Sequence, residues 1–409
     1  MRRTRGAVRW LFAGALAAAG AAVACSSLLG IDTLTNLPDD GGPEGAADAA
    51  VDAPQPTCTP AHPAPRPDAQ AADGGTEFTV AIDHIFMGLE LSAGKDLFYD
   101  LDNVCTCTIP NAESCRRPAP DGGGPDPQTC DLADGRDGTG NQALGILSTL
   151  VAGMKEGDLQ AQLDHGRFGA VVTIGDYDGT PNDSQVRVDV VRSYGTKAPS
   201  SPTYYDPLRR DGTDMWTIDP AAGSNVGDRV TGTAHDGQAY VVDGVVVAHF
   251  PVLPMVFQYW ISTRNPISMR LVEVTVSAKL VASDAGGPYA LTDGKVAGRW
   301  RAADAVRSFS VWTDPFDVTN GICAGTATYD LIVSKMCPLR DLRGAIAEDG
   351  KLLSCDAFSF GVGFTAVPAH VFGTVGFNYQ PTNGCFSGTP TLAPELGDPC
   401  VGPVDAGKD

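Results

Sequence analysis

The chain has 409 residues, with 29 Lys and Arg against 49 Asp and Glu, and a net charge of −20 at pH 7. A chain of this length can bury a large core, and so acidic a composition argues against nucleic-acid binding because few cations are present to neutralise phosphates. The 48 glycines and 30 prolines predict many turns and few long helices.

Residues 1–24 have the organisation of an export signal. Four arginines lie within the first nine residues, and an uncharged apolar run occupies residues 10–24. This run is shorter than the roughly 20 residues that a membrane-spanning helix needs. Ordinary signal cleavage after Ala24 is one interpretation, but the small residues that lead into Cys25 also resemble the lipobox of bacterial lipoproteins. That resemblance implies lipidation of Cys25, anchoring to a membrane and, because Ser26 follows, an outer-membrane location.

Residues 25–76 are predicted to be a flexible linker between the lipid and a folded domain. They are rich in Asp, Ala, Pro and Gly, and almost no bulky apolar residue follows Leu37. A segment of this composition cannot bury a core. Cys58 lies within it, and we expect it to pair with a downstream cysteine near the C-terminus.

Residues 77–400 are predicted to fold as a mainly β domain. Residues 271–280 alternate apolar and polar side chains with a period of two, and Asp243 and Gly244 separate two apolar runs as in a tight hairpin. Further strands are predicted at 78–82, 168–174, 186–190, 255–261 and 359–364, and helices at 141–154 and 329–336. Antiparallel strands with one or two helices favour a β-sandwich or jelly roll. Residues 320–400 are considered as a Cys-rich subdomain, and residues 401–409 as a tail.

Three acidic loops, near residues 100–103, 131–141 and 176–183, concentrate the oxygen ligands that calcium prefers. None of them has EF-hand spacing, and ordinary turns select the same residue types. The candidate ligands are Asp100, Asp102, Asp134, Asp137, Asn141, Asp176, Asp178 and Asp183. Structural calcium is therefore the cofactor that the sequence suggests.

Cysteine content also points to an exported protein. Lipidation of Cys25 leaves an even number of the 11 cysteines, namely Cys58, Cys105, Cys107, Cys115, Cys130, Cys323, Cys337, Cys355, Cys385 and Cys400. An oxidising compartment favours disulfides among these ten, with a connectivity that the sequence leaves open. A four-thiolate zinc site built from the cysteines between 105 and 130 is the less favoured alternative.

The spacing of potential catalytic residues gives little support to an enzymatic function. The six histidines make no H-E-x-x-H pattern, and the chain contains neither a G-x-S-x-G elbow nor a phosphate-binding loop. Trp216 and Trp300 stand among charged residues and glycines, which makes them candidates for surface stacking on sugars.

Residues 99–102 (YDLD), 135–138 (GRDG), 177–183 (YDGTPND) and 355–359 (CDAFS) resemble landmarks of an uncharacterised group of predicted lipoproteins from high-GC Gram-negative bacteria. That resemblance covers most of residues 77–375 and implies export and a β-rich body, without a known activity. The sequence thus favours a non-enzymatic envelope module that binds a glycan or protein ligand. The alternatives are a polysaccharide-active hydrolase or lyase on a jelly-roll scaffold, and a structural envelope component.

Overall fold

Regular structure in the computed structural model is dominated by strands. The structure describes residues 58–68, 75–88, 97–109, 112–118, 129–132, 134–150, 155–198, 201–258, 266–283, 289–310, 325–375 and 399–400. These residues belong to one compact unit within residues 55–409. The predicted signal, the predicted lipidation site Cys25, the predicted tail 401–409, and Cys323 and Cys385 lie outside the described residues.

The described part of the chain forms thirteen strands and four α-helices. The strands are β1 (Thr76–Phe86), β2 (Gly169–Tyr177), β3 (Asp183–Ala198), β4 (Ser201–Tyr205), β5 (Met215–Ile218), β6 (Gly223–Val226), β7 (Arg229–Gly232), β8 (Ala234–Val242), β9 (Val245–Gln258), β10 (Pro266–Ala282), β11 (Tyr289–Arg301), β12 (Ala357–Pro368) and β13 (His370–Thr374). The helices are α1 (Thr139–Leu150), α2 (Glu156–Asp164), α3 (Ala302–Ser310) and α4 (Ala327–Met336), with 3-10 turns at Cys337–Leu339 and Ile346–Glu348.

Each strand predicted from alternation is found. The predicted hairpin joins β8 to β9, and its turn residues Asp243 and Gly244 have φ values of 51° and 77°. Two positive φ angles define the type I′ turn, which matches the twist of the strands on either side. Helices α1 and α4 were predicted, whereas α2 and α3 were not, so one or two helices was an underestimate.

The sheet closes on itself instead of packing against a second sheet. Strands β3, β2, β1, β12, β11, β10, β9 and β8 pair in that order, and β8 returns to pair with β3. All eight pairings are antiparallel. The prediction of a sandwich or jelly roll was therefore wrong. Alternation specifies that each strand buries one face, but it does not specify which strands cover that face.

Closure depends on the length of β3. Along one edge, β3 pairs with residues 169–175 of β2. Along the other edge it pairs with β8, from Asp183 opposite Val241 to Val190 opposite Ala234. Beyond the barrel, β5 pairs with the far end of β3, and β13 pairs with β5 in parallel. Strand β12 lies between β1 and β11. The predicted Cys-rich stretch 320–400 therefore contributes a strand to the barrel itself.

Aromatic packing attaches the helices to the barrel. The Trp300 ring of β11 lies 6.4 Å from Phe358 and 6.0 Å from Phe360, both on β12, and 6.2 Å from Phe309 of α3. Helix α1 packs against β12, and α4 packs against α1 and α3. Within the described part of the chain, none of the helices combines the length and the apolar character needed to cross a membrane.

A mostly irregular region covers one side of β12, and we call it the cap. It comprises residues 58–62, 97–109, 112–118, 129–132, 134–140 and 337–357. Its disulfides are Cys58–Cys105, Cys107–Cys130 and Cys115–Cys355, and Cys337 pairs with Cys400. The cysteines thus form disulfides rather than the alternative zinc site. Cys58 does pair downstream, but with Cys105 rather than near the C-terminus.

The cap also includes residues that composition had placed in the linker. The Ala61 N–H donates to the Asp134 carbonyl at 3.1 Å, and the Asp100 N–H donates to the Ala61 carbonyl at 3.0 Å. Arg66 lies over the Tyr240 ring of β8, 5.3 Å from its centroid. Residues 58–68 are therefore part of the folded body, and the Cys58–Cys105 disulfide attaches them to it.

Candidate metal centre

The first acidic loop turns its carboxylates inward. Asp100 Oδ1 accepts the N–H groups of Asp102 and Asn103 at 3.2 and 2.6 Å, and Asn103 has a φ of 62°. Asp102 Oδ1 accepts the Val104 N–H at 2.9 Å, while its Oδ2 accepts the Ser114 hydroxyl. These local bonds are the reason that Asp and Asn favour such turns. They fix two carboxylates two residues apart.

The second acidic loop brings a third carboxylate to the same place. Asp137 Oδ2 accepts the Leu101 N–H at 2.8 Å, and the Asp137 N–H donates to the Tyr99 carbonyl at 3.2 Å. Gly135 adopts a φ of 73°, and a Cβ there would lie 2.6 Å from Asp100 Oδ2. Glycine at this position is therefore required by both the backbone and the space beside the carboxylate.

Asp100, Asp102 and Asp137 form a compact set of oxygen ligands, which we call the acidic cluster. One carboxylate oxygen from each of the three residues lies within 4.8 Å of the other two. Ligands that share one calcium ion at 2.3–2.6 Å lie at most about 5 Å apart, so this spacing fits a single ion. The three residues are nearly inaccessible to solvent: Asp100 is 3% exposed, Asp102 is 5% exposed and Asp137 is 1% exposed.

Two oxygens of the acidic cluster have no hydrogen-bond partner among the described residues. Asp100 Oδ2 and Asp137 Oδ1 are both buried and unpaired. Leaving a buried polar atom unpaired costs about 1–3 kcal/mol, and more when the group is charged, so such atoms call for a ligand. Carboxylate oxygens without nitrogen or sulfur donors select a hard cation, and a buried site with several carboxylates suits calcium better than the strongly hydrated magnesium ion.

The charge around the acidic cluster is strongly negative. Asp131 and the fully buried Asp341 lie close enough to repel it, and Arg117, which contacts Asp131 at 3.4 Å, is the nearby cation. Burial, together with repulsion from neighbouring carboxylates, raises the pKa of Asp100 to about 6 and that of Asp131 to about 7. Burial also raises the pKa of Asp102 and Asp341, and it raises the pKa of Asp137 well above its ordinary value. A bound cation would offset this repulsion and would compete with protons for the carboxylate oxygens.

A second arginine, Arg299, holds the loop, and its charge acts to lower the pKa of Asp102. Arg299, only 1% exposed, donates from both terminal nitrogens to Asp349, at 2.7 and 2.6 Å, and also to the Leu101 carbonyl. Its charge is thus matched by Asp349 in a bidentate pair. The remaining negative charge stays with the acidic cluster.

The other predicted calcium ligands lie elsewhere. Asp134 is half-buried, with 41% of its side chain exposed, and pairs with Arg136, and the Asn141 amide bonds to the backbone of Met87 and Gly361. In the third loop, Asp178 accepts the Thr180 N–H and hydroxyl, both at 2.7 Å. Asp183 accepts the N–H groups of Asp178 and Gln185, and Asp176 is exposed beside Arg187. These side chains satisfy turns and ion pairs, so the structure does not bring them together as a metal site.

The prediction of exposed tryptophans was wrong. Trp216 is 1% exposed and Trp300 is 0% exposed. Trp216 packs against Gly169, where a Cβ would come within 2.6 Å of the indole ring. Neither ring can stack on a sugar at the surface, because each fills the core between barrel and helices.

Two cap residues that set the charge around the acidic cluster, Asp341 and Arg117, were not predicted from the sequence. Asp341 accepts the Ser359 N–H and hydroxyl at 2.9 and 2.6 Å, and Arg117 lies near Asp131. Asp341 is more than 200 positions away from Asp137 in the chain, so no local spacing could connect them. The available signal was the disulfide cysteine Cys355, which joins the C-terminal segment to Cys115.

The chain matches no protein-family model, no curated protein and no solved structure. Its class is therefore defined by its own features, a closed antiparallel barrel with a disulfide-linked cap that encloses an acidic cluster.

Proposed function

We propose that the protein is a lipid-anchored envelope protein whose exported domain is a non-enzymatic binding module, stabilised by disulfides and by one calcium ion. The calcium ion is held by Asp100, Asp102 and Asp137 in the cap. The observation that carries this proposal is the pair of buried, unpartnered oxygens, Asp100 Oδ2 and Asp137 Oδ1. Calcium in this position crosslinks two segments of the cap, as the disulfides do.

The melting temperature of the purified protein tests the calcium ion. An ion that binds only the folded state adds about 2.7 kcal/mol at a hundred times its dissociation constant, equivalent to a rise of roughly 4 °C over the value in EGTA. Asp137→Asn should abolish this rise. In EGTA the variant should melt no lower than the wild type, because burial raises the pKa of Asp137 and so disfavours its charged form, and the neutral amide of asparagine can still accept the Leu101 N–H.

Asp134→Asn is the matched control, because Asp134 lies in the same segment but faces solvent beside Arg136. It should keep the full calcium response. An unchanged melting temperature in calcium, or a full rise in the Asp137→Asn protein, would contradict the calcium site.

The anchor is tested separately by replacing Cys25 with Ser and fractionating the cells. Loss of acylation and release from the membrane fraction support the lipoprotein proposal, whereas unchanged membrane association contradicts it. The ligand of the module is proposed to be a protein or a glycan. A polysaccharide-active hydrolase or lyase and a structural envelope component stay the alternatives, and a carbohydrate array read with and without calcium separates glycan binding from them.

A further inference from the structure

The barrel contains an apolar cavity of about 70 Å³. All eight barrel strands contribute to its lining, so it lies within the barrel rather than under the cap. Among the described residues that line it, only Arg192 and Thr233 carry nitrogen or oxygen in their side chains. Aliphatic lining residues such as Ile82, Val190 and Val276 are only half-buried. The interior side chains therefore leave space that an eight-stranded barrel can otherwise fill.

The cavity opens beside an edge of β9. Five consecutive residues, 253–257, line it. Because successive side chains of a strand point to opposite faces, the residues of this run border the cavity alternately with their side chains and with their backbone or strand edge. Among the described residues, β8 pairs with β9 only as far as Tyr240 opposite Val247, and residues 253–257 pair with β10 alone. A ligand can thus enter laterally, between this part of β9 and the end of β3 that carries Arg192.

Arg192 supplies a single polar contact to this space. Its Nη2 donates to the Tyr194 hydroxyl at 3.1 Å and to Asp219, which matches its charge. Its Nε is buried and has no hydrogen-bond partner. An unpaired buried N–H favours an acceptor from the ligand. Because Asp219 already neutralises the guanidinium and repels a carboxylate, a neutral oxygen is the better acceptor.

We propose that this cavity binds the end of a straight hydrocarbon chain that carries a neutral oxygen, such as an alcohol, an aldehyde or an ester carbonyl. An apolar cavity of about 150 Å³ holds benzene, and this cavity is about half that size. The lateral opening lets a linear chain enter while its oxygen stays near Arg192 Nε. The site is independent of the acidic cluster and goes beyond the proposed function.

Binding is tested by titrating the full exported chain with hexan-1-ol. Methyl NMR locates the bound alcohol, and calorimetry measures its affinity. Hexan-1-ol should shift the Met255, Val276 and Val362 methyl signals and bind at least tenfold more tightly than cyclohexanol, whose ring does not fit. Hexanoate should bind more weakly than the alcohol. Equal affinity for the ring and the chain would overturn the proposal, as would the absence of shifts in these methyl groups.

Variants assign the binding to the cavity. Val276→Phe fills the space and should abolish binding, whereas Val226→Phe, at a position that is 84% exposed on the β6–β7 hairpin, should leave it unchanged. Arg192→Lys keeps the ion pair but removes Nε, and should weaken hexan-1-ol about threefold to tenfold. Ala170→Leu is the second filling variant if Val276→Phe does not fold. Binding that survives in the folded filling variant would place the alcohol elsewhere and refute the site.

Discussion

The barrel and the cap are stabilised by different physics. In the barrel, antiparallel ladders enclose aliphatic and aromatic side chains, so its stability comes from burial and backbone hydrogen bonds. In the cap, short irregular segments are joined by disulfides around buried carboxylates. The stability of the barrel therefore follows from burial of its own side chains. The stability of the cap depends on disulfides, which need oxidising conditions to form, and, as we propose, on a cation.

The disulfide Cys115–Cys355, which joins two distant segments of the cap, should give the largest effect. Replacing Cys115 and Cys355 by Ser opens a crosslink between residues 240 positions apart, and the loop-entropy model gives a loss of about 5 kcal/mol. Opening Cys107–Cys130, which spans 23 positions, should cost about 3 kcal/mol. Urea unfolding of both double variants measures the difference. Equal losses would contradict the dependence on loop length and show that chain constraint does not account for the stabilising effect of Cys115–Cys355.

Core truncation in the barrel should be costly but independent of the cap. Phe250 of β9 is 1% exposed, and Phe250→Ala should reduce the free energy of unfolding by about 4 kcal/mol because it leaves a cavity. The rise of the melting temperature in calcium should keep its wild-type size. A smaller calcium response in this variant would mean that barrel and cap do not behave as separate regions.

The pH dependence of stability should come from the cap, where burial raises the pKa of several carboxyls. The folded pKa of Asp100, about 6, and that of Asp131, about 7, lie above the ordinary value near 3.9. The folded state therefore binds more protons than the unfolded state between about pH 4 and pH 7, and in EGTA stability should fall as pH rises through this range.

Calcium should flatten this fall, because the ion replaces protons on the acidic cluster. Thermal unfolding at pH 5 and pH 7.5, with calcium or EGTA, measures the effect, and Asp137→Asn should have a shallower slope in EGTA than the wild type. A wild-type protein that becomes more stable from pH 5 to pH 7.5 in EGTA would contradict the raised pKa values.

The strands of the barrel could be predicted because each alternates over many residues, as residues 271–280 show. Closure of the barrel could not be predicted, since it depends on β3 pairing at both of its edges. This strand pairs with β8 from Asp183 to Val190 and with β2 from Arg187 to Ser193. The site was predicted in part: Asp100, Asp102 and Asp137 were among the proposed ligands and do come together. Asp134 and Asp178 have the same local pattern, and only the folded chain shows which carboxylates are buried without partners.

The smallest effect is expected from a substitution in the β2–β3 turn of the barrel. This acidic loop is similar in sequence to the acidic loop of the cap. Both Asp178 bonds to Thr180 are local and exposed, so Asp178→Ala should cost only about 1 kcal/mol. It should leave the calcium response intact, because every bond made by this carboxylate serves the turn. Melting curves of Asp178→Ala and Asp137→Asn in EGTA and in calcium make the comparison directly. Loss of the calcium rise in the Asp178→Ala protein would move the ion to the barrel turn and leave the unpaired oxygens of the cap without an explanation.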